Sequence, residues 1–399
     1  MQRYYLFRYV ANMDGGEINN YKDFRKNKSC IVPFIIGINV HYMQNKVLII
    51  YTGGTIGMVQ GKDGSLHPFA LEGIYQAVPQ LEMCDYKIDS CQLENIIDSS
   101  NMTPKVWVDI AEIIEREYQH YDGFLVLHGT DTMAYTASAL SFMLENLGKP
   151  VVLTGSQLPL GMLRSDGREN IISALEIVAG KELMIPEVCV FFENRLYRGN
   201  RSTKVSAENF DAFKSYNYPS LAKVGITMTY KKHLIMPQPE GTLKVWKQFD
   251  EHIAVLKLFP GITKELVDSL LHTPGLKGAI VEAYGSGNAL TEEWFINSLQ
   301  DAIHRGIVLM DVTQCKAGSV KLRQYAASCD MERIGVISGH DITIEAAVTK
   351  MMHVLGNYGS DAERVRKMLE TPLRGEMEQG ELKVESWELK IENNGVRGR

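Results

Sequence analysis

Val47-Leu48-Ile49-Ile50-Tyr51-Thr52-Gly53-Gly54-Thr55-Ile56-Gly57-Met58 is the stretch on which the fold turns. Four apolar residues in a row make a short run of buried-strand type. The glycines that follow let the backbone turn sharply, so Thr55 stands just past the carboxyl end of that strand. The pattern recurs at Phe124-Leu125-Val126-Leu127, followed by His128-Gly129-Thr130-Asp131-Thr132. In open α/β sheets, ligands bind at this edge. Threonines, an aspartate and glycines gathered there point to hydroxyl-based nucleophilic chemistry on a small polar substrate.

Outward from these loops the chain reads as a two-domain α/β protein, with a larger N-terminal mixed-sheet domain and a smaller C-terminal parallel βαβ domain. A helical pattern at Met133–Glu145, whose Met133, Ala137, Leu140 and Leu144 share one face, is followed by strand-type runs at 151–153 and 188–192. Residues 43–230 are expected to form the catalytic domain. The pattern lapses over 231–251, where Pro237, Pro239 and Gly241 mark a linker. Alternation resumes at 252–399, with strands at Ile253–Leu258, Ala279–Glu282, Ile307–Val312 and Ile334–Ile337. Helices there are expected at Lys264–Leu271, around Glu292–Ile303, and at Glu345–Leu355 as the last strong one. Such βαβ order implies a small parallel sheet with helices on both faces. Past about Gly375 the sequence turns polar and reads as a surface tail. Residues 1–42 read as an extension outside the fold. Their apolar run at 30–40 follows a basic patch, but it contains Pro33 and Asn39, lacks a cleavage site and is too short to span a bilayer.

Composition narrows the function. The 399 residues are 45% hydrophobic and 23% charged, which is ordinary for a globular chain. With 42 Lys and Arg against 48 Asp and Glu, the net charge of −6 supplies no basic stripe for nucleic acid. The six cysteines include no C-x-x-C pair and read as reduced thiols of a cytoplasmic protein. The ten histidines show no metal-ligand spacing, so no metal is expected.

Each loop alone has a bland alternative. Gly53-Gly54-Thr55 can simply make a turn, and Thr130 and Asp131 can simply cap the helix that starts near Thr132. A dinucleotide site is a third reading, but T-G-G-T-I-G is not G-x-G-x-x-G. A helix start can also stabilise a tetrahedral oxyanion, and Asp131 can hold a substrate ammonium group. A threonine hydroxyl, in turn, needs a base before it attacks.

Taken together, the loops resemble the bacterial-type L-asparaginase family, and its cytoplasmic type I branch in particular. The similarity continues through Asp98-Ser99-Ser100-Asn101-Met102-Thr103-Pro104, Thr154-Gly155-Ser156-Gln157 and Leu163-Arg164-Ser165-Asp166-Gly167. It extends through Tyr197-Arg198-Gly199-Asn200-Arg201-Ser202-Thr203-Lys204, Tyr284-Gly285-Ser286-Gly287-Asn288 and Thr313-Gln314-Cys315, in order from Lys46 to Glu376. The resemblance implies hydrolysis of L-asparagine to L-aspartate and ammonia, without a cofactor, by a homodimer or homotetramer. It implies that Thr55 attacks the amide carbon, and that Thr130, Asp131 and Lys204 form a second catalytic cluster with Lys204 as base or proton relay. Asp131 and Ser99 would grip the α-amino and α-carboxylate groups, in a pocket walled by Asp98 and Ser100. Asn288 would reach the substrate across a subunit contact, and His128 would be structural. Thr203 and Cys315 fit the region where some members bind an activating asparagine, yet Glu282 there opposes a carboxylate, which leaves allostery open. Where many members carry a lid tyrosine this chain has Ser65, and Tyr325 is the candidate substitute. Two rival readings stand beside this one. A tRNA-dependent amidotransferase subunit would carry a substantial N-terminal domain. A non-catalytic amino-acid-binding protein would need the grip but not the nucleophile.

Overall fold

The computed structural model describes residues 45–60, 66–68, 76–180, 182–322 and 326–378. The extension read at 1–42, Ser65 and Tyr325 lie outside these residues. The larger sheet has eight strands: β1 (Lys46–Gly53), β2 (Lys87–Ile97), β3 (Gly123–Leu127), β4 (Val151–Thr154), β5 (Val188–Phe192), β6 (Arg195–Arg198), β7 (Ala222–Lys223) and β8 (Thr229–Tyr230). Their spatial order is β8-β7-β6-β5-β4-β3-β1-β2. Strands β2, β1, β3, β4 and β5 run parallel, while β6, β7 and β8 pair antiparallel, so the sheet is mixed as expected.

The period-2 geometry of a strand sorts its residues between two layers. Leu48 and Ile50 of β1 and Phe124 and Val126 of β3 pack with Trp107 and Ile110 of helix α1 (Pro104–Glu117) and Leu140 of helix α2 (Met133–Met143). Val47, Ile49, Leu125 and Leu127 face the other way, onto Ile171, Ala174 and Leu175 of helix α3 (Gly167–Val178). Each fully buried side chain of this size contributes about 1.5–3 kcal/mol. Burial on both faces explains the unbroken apolar runs that mark β1 and β3.

The second sheet is β9 (Ile253–Lys257), β10 (Gly278–Ala283), β11 (Val308–Thr313) and β12 (Ile337–Ser338), all parallel and in that order. Helices α4 (Lys264–Leu271), α5 (Glu293–His304) and α6 (Ala326–Ile334) cover one face; α7 (Ile344–Tyr358) and α8 (Ala362–Glu370) cover the other.

Four local expectations change. Ile334 closes α6 instead of opening a strand, because β12 is a two-residue edge strand. Helix α2 ends at Met143, and Leu144–Glu145 pairs with Lys244–Val245 from the stretch read as linker. Helix α8 follows the last helix expected. Glu376 and Met377 are buried, so the polar turn of the sequence past Gly375 does not bring the chain straight to the surface.

Candidate active site

Strand order places the site. The chain goes from β1 to β2 on one side, then crosses to β3 on the other side of β1. The loops after β1 and β3 therefore diverge at a topological switch point, where a crevice opens at the strands' carboxyl ends. The loop after β1 holds Thr55 and the loop after β3 holds 128–131.

Glycines let these loops meet backbone to backbone. Gly54 has φ +85°, and a Cβ on it would lie 2.3 Å from Gly129 Cα. A Cβ on Gly129 would lie 2.5 Å from Ser99 Oγ. The Thr55, Ser99 and Thr130 loops thus form one surface. Thr52 Oγ1 donates to Leu127 O at 3.0 Å and ties β1 to β3 beneath it. Tyr51 Oη donates to Gly57 O at 3.1 Å and closes the turn that carries half-buried Thr55. Burial pushes that phenol up to about 12, so it remains a donor.

Lys204 arrives from the far side, on the short strand Thr203–Lys204 that follows β6. Its Nζ donates to Thr130 Oγ1 at 2.8 Å and to Asp131 Oδ1 at 2.7 Å. Asp131 remains largely exposed, with its second oxygen available to a ligand. Thr132 does not cap α2 with its side chain; its Oγ1 donates to Ser99 O at 2.7 Å. Asp98 caps the Ser99–Asn101 turn, accepting from Ser100 N at 2.9 Å and Ser100 Oγ at 3.0 Å. Asp98 and Ser100 are exposed, whereas Ser99 is buried.

His128 is fully buried beneath this surface, and burial pushes it down to about 4. Its environment selects one neutral tautomer. Trp107 Nε1 can only donate, so Thr136 Oγ1 accepts from it at 3.1 Å and donates to His128 Nε2 at 2.9 Å. Nδ1 then carries the proton and donates to Gly129 O at 2.7 Å. His128 thereby fixes the glycine peptide that touches Gly54.

The remaining candidates sit elsewhere. Asn288 ends the Tyr284–Asn288 turn after β10, where its Oδ1 accepts from Ala289 N at 3.1 Å. Among the described residues it makes no hydrogen bond to the Thr130 cluster. Thr203 and Cys315 line one small cavity of about 30 Å³, together with Glu282 and Glu345. Thr203 Oγ1 donates to Glu345 Oε1 at 2.5 Å. Burial raises the Glu345 carboxyl toward its neutral form, and Lys316 lines the same cavity. The sequence reading gave no role to Gln157, whose Oε1 accepts from Thr130 Oγ1 at 3.3 Å. Its place in Thr154-Gly155-Ser156-Gln157, past the end of β4, was the available signal.

Both halves of the chain are similar to known proteins. Residues 46–236 match the family model "Asparaginase, N-terminal", and residues 252–369 match "Glutaminase/Asparaginase C-terminal domain". The chain is 46% identical over 340 residues to L-asparaginase 1 of Escherichia coli strain K12, spanning 84% of this chain and 99% of that one. It is 43% identical over 359 residues to a 60 kDa lysophospholipase of Mus musculus, covering 84% of this chain and 63% of the length of that relative. The crystal structure of L-asparaginase I from Vibrio cholerae O1 biovar eltor superposes with a TM-score of 0.78 at 40% identity, over 84% of this chain and 99% of that one.

Proposed function

The chain belongs to the asparaginase family and is an amidohydrolase, and from that premise we propose that it converts L-asparagine to L-aspartate and ammonia through an acyl-enzyme on Thr55. The supporting observation is the convergence of the Thr55 loop with the hydrogen-bonded Lys204–Thr130–Asp131 cluster at the sheet's switch point. Thr55 Oγ attacks the amide carbon while its proton passes by way of Thr130 toward Lys204. Protonation of the amide nitrogen releases ammonia, and water attacks the ester to free aspartate. The exposed carboxylate of Asp131 pairs with the substrate ammonium, and Ser99 holds the carboxylate end. Asp98 and Ser100 shape the rim. Fixing both ends converts attack into an intramolecular step and removes entropy from the barrier.

Asn288 lies apart from the cluster within one protomer, which fits a role at the site of a partner subunit in a homodimer or homotetramer. A cytoplasmic location and a two-domain division near 231–251 complete the reading.

Ammonia release from L-asparagine and L-glutamine tests this, with wild-type protein and Thr55→Ala. Asparagine turnover that falls at least about 10³-fold in the variant supports Thr55 as nucleophile. Turnover that survives the substitution overturns that assignment. Activity seen only with a partner protein and charged tRNA would favour the amidotransferase-subunit reading.

A further inference from the structure

Thr130 has one hydroxyl proton, and its neighbours determine where that proton lies. Lys204 Nζ donates to Oγ1 at 2.8 Å, and Oγ1 donates to Gln157 Oε1 at 3.3 Å. The orientation of the Gln157 amide is fixed, because its Nε2 donates to Asn209 O at 3.1 Å and a carbonyl can only accept. Its backbone is fixed as well. The N–H groups of Gln157 and Leu158 donate to the Asp166 carboxylate at 3.0 and 3.1 Å. Asn170 Nδ2 links Asp166 Oδ2, at 3.3 Å, to Gly155 O, at 3.0 Å. An acceptor held on two sides in this way is aimed at the Thr130 hydroxyl.

We propose that Gln157 is a positioning residue of the reaction: it holds the Thr130 hydroxyl proton and so sets the direction of the Lys204–Thr130 proton chain. The inference rests on Lys204 as base and Thr55 as nucleophile. While Lys204 donates, Thr130 accepts from it and its own proton stays on Oγ1, directed at Gln157 Oε1. In the relay, the Thr55 O–H bond breaks and an O–H bond forms on Thr130. The original Thr130 proton moves to Lys204 Nζ once that amine has given up a proton to solvent and is neutral. Thr130 must therefore release Gln157 before the relay runs, and Gln157 sets how readily it does so.

Among the described residues, five charged groups surround Lys204 in this frame. Asp131 bonds it directly, and the Lys214–Asp211 ion pair lies on the adjacent short strand. Glu345 bonds the neighbouring Thr203, and Asp166 lies behind Gln157. Substitution of Gln157 leaves all of them in place, so a change in pH dependence reports on position 157.

The test is kcat/KM for asparagine against pH, measured by ammonia release, for wild type, Gln157→Leu and Gln157→Glu. Leucine removes the acceptor, so the Thr130 proton turns toward Lys204 and disfavours the protonated amine. The acidic limb then moves to lower pH. Glutamate places an anion at the far end of the chain and favours the protonated amine, so the limb moves up by about one unit. Both changes fall mainly on kcat, with KM changing less. General loosening of the loop does not produce shifts of opposite sign. Limbs that coincide with wild type, or that move the same way in both variants, overturn the inference. A wild type that releases no ammonia, or a Thr55→Ala that keeps its turnover, overturns the underlying reading instead.

Discussion

Asp311 shows how one residue can set the pH dependence of stability. It lies in the middle of β11 with its side chain fully buried, and among the described residues neither carboxyl oxygen has a hydrogen-bond partner. A Cβ on Gly287 would stand 2.6 Å from Oδ2, so the carboxyl packs beneath the turn that carries Asn288. Burial pushes it up to about 7. An unfolded aspartate ionises near 3.9, so between these values the folded state binds the extra proton. The stability this provides is full below about pH 4 and is lost as pH rises through about 7, a cost on the order of 4 kcal/mol. Asp311→Asn is expected to melt several degrees above wild type at pH 8 and level with it at pH 4, by calorimetry. Equal melting temperatures at pH 8 would show that the carboxyl finds compensation there. Such a residue is illegible in sequence, where Asp311 is one aspartate in an apolar run. Thr55, Thr130 and Asp131 were legible as candidates because glycines and strand ends surround them, and Lys204 because of the motif around it. Gln157 was not, since its significance comes from a partner 27 positions away.

At the scale of elements, three pieces meet at one hydroxyl. Trp107 comes from α1, Thr136 from α2 and His128 from the end of β3. Thr136→Val keeps the shape and removes the hydroxyl. It leaves the indole N–H and His128 Nε2 buried without partners, at about 1–3 kcal/mol each. A lower urea midpoint with an unchanged slope is the expected result, together with reduced turnover as the Gly129 peptide loses its anchor. A midpoint equal to wild type would mean that the elements repack around the valine. Sequence periodicity found α2 but gave it one apolar face. In the structure it is buried nearly all round, because α7 packs on it from outside, with Phe142 stacked on His353 at 6.1 Å. Periodicity reports the nearest layer and is blind to a second one contributed by distant chain. The same limit hid β2, an edge strand in which only Leu93 is buried. The central strands were legible because burial on both faces writes an unbroken apolar run.

Across the whole molecule, a hook at residues 373–378 joins the second sheet's helices to the segment leading into the strand Thr203–Lys204. Glu376 is fully buried and paired with Lys350 of α7 at 2.7 Å. It also accepts from Leu373 N at 2.9 Å and Arg374 N at 2.7 Å. Burial opposes its charge, but Lys350 and these N–H groups hold the carboxyl below its ordinary range. The hook's carbonyls then receive the segment leading into Thr203–Lys204. Asn200 Nδ2 donates to Arg374 O at 2.9 Å, and Arg201 Nε donates to Gly375 O at 2.7 Å. Arg201 is pinned again by Asp341 at 2.5 Å. Glu376→Ala strands the Lys350 ammonium in the interior, and the expected loss is about 3–5 kcal/mol in a urea melt. The double variant Lys350→Met, Glu376→Leu separates two consequences. It removes the buried charge, so much of the stability returns, because apolar replacement of an ion pair is often close to neutral. It still leaves the N–H groups of Leu373 and Arg374 without their acceptor, so the hook stays loose and Asn200 and Arg201 lose registration. Ammonia release in the double variant, measured well below its melting point, is therefore expected to stay reduced while the urea midpoint recovers. Recovery of both together would confine the hook to stability and detach it from the placement of Lys204.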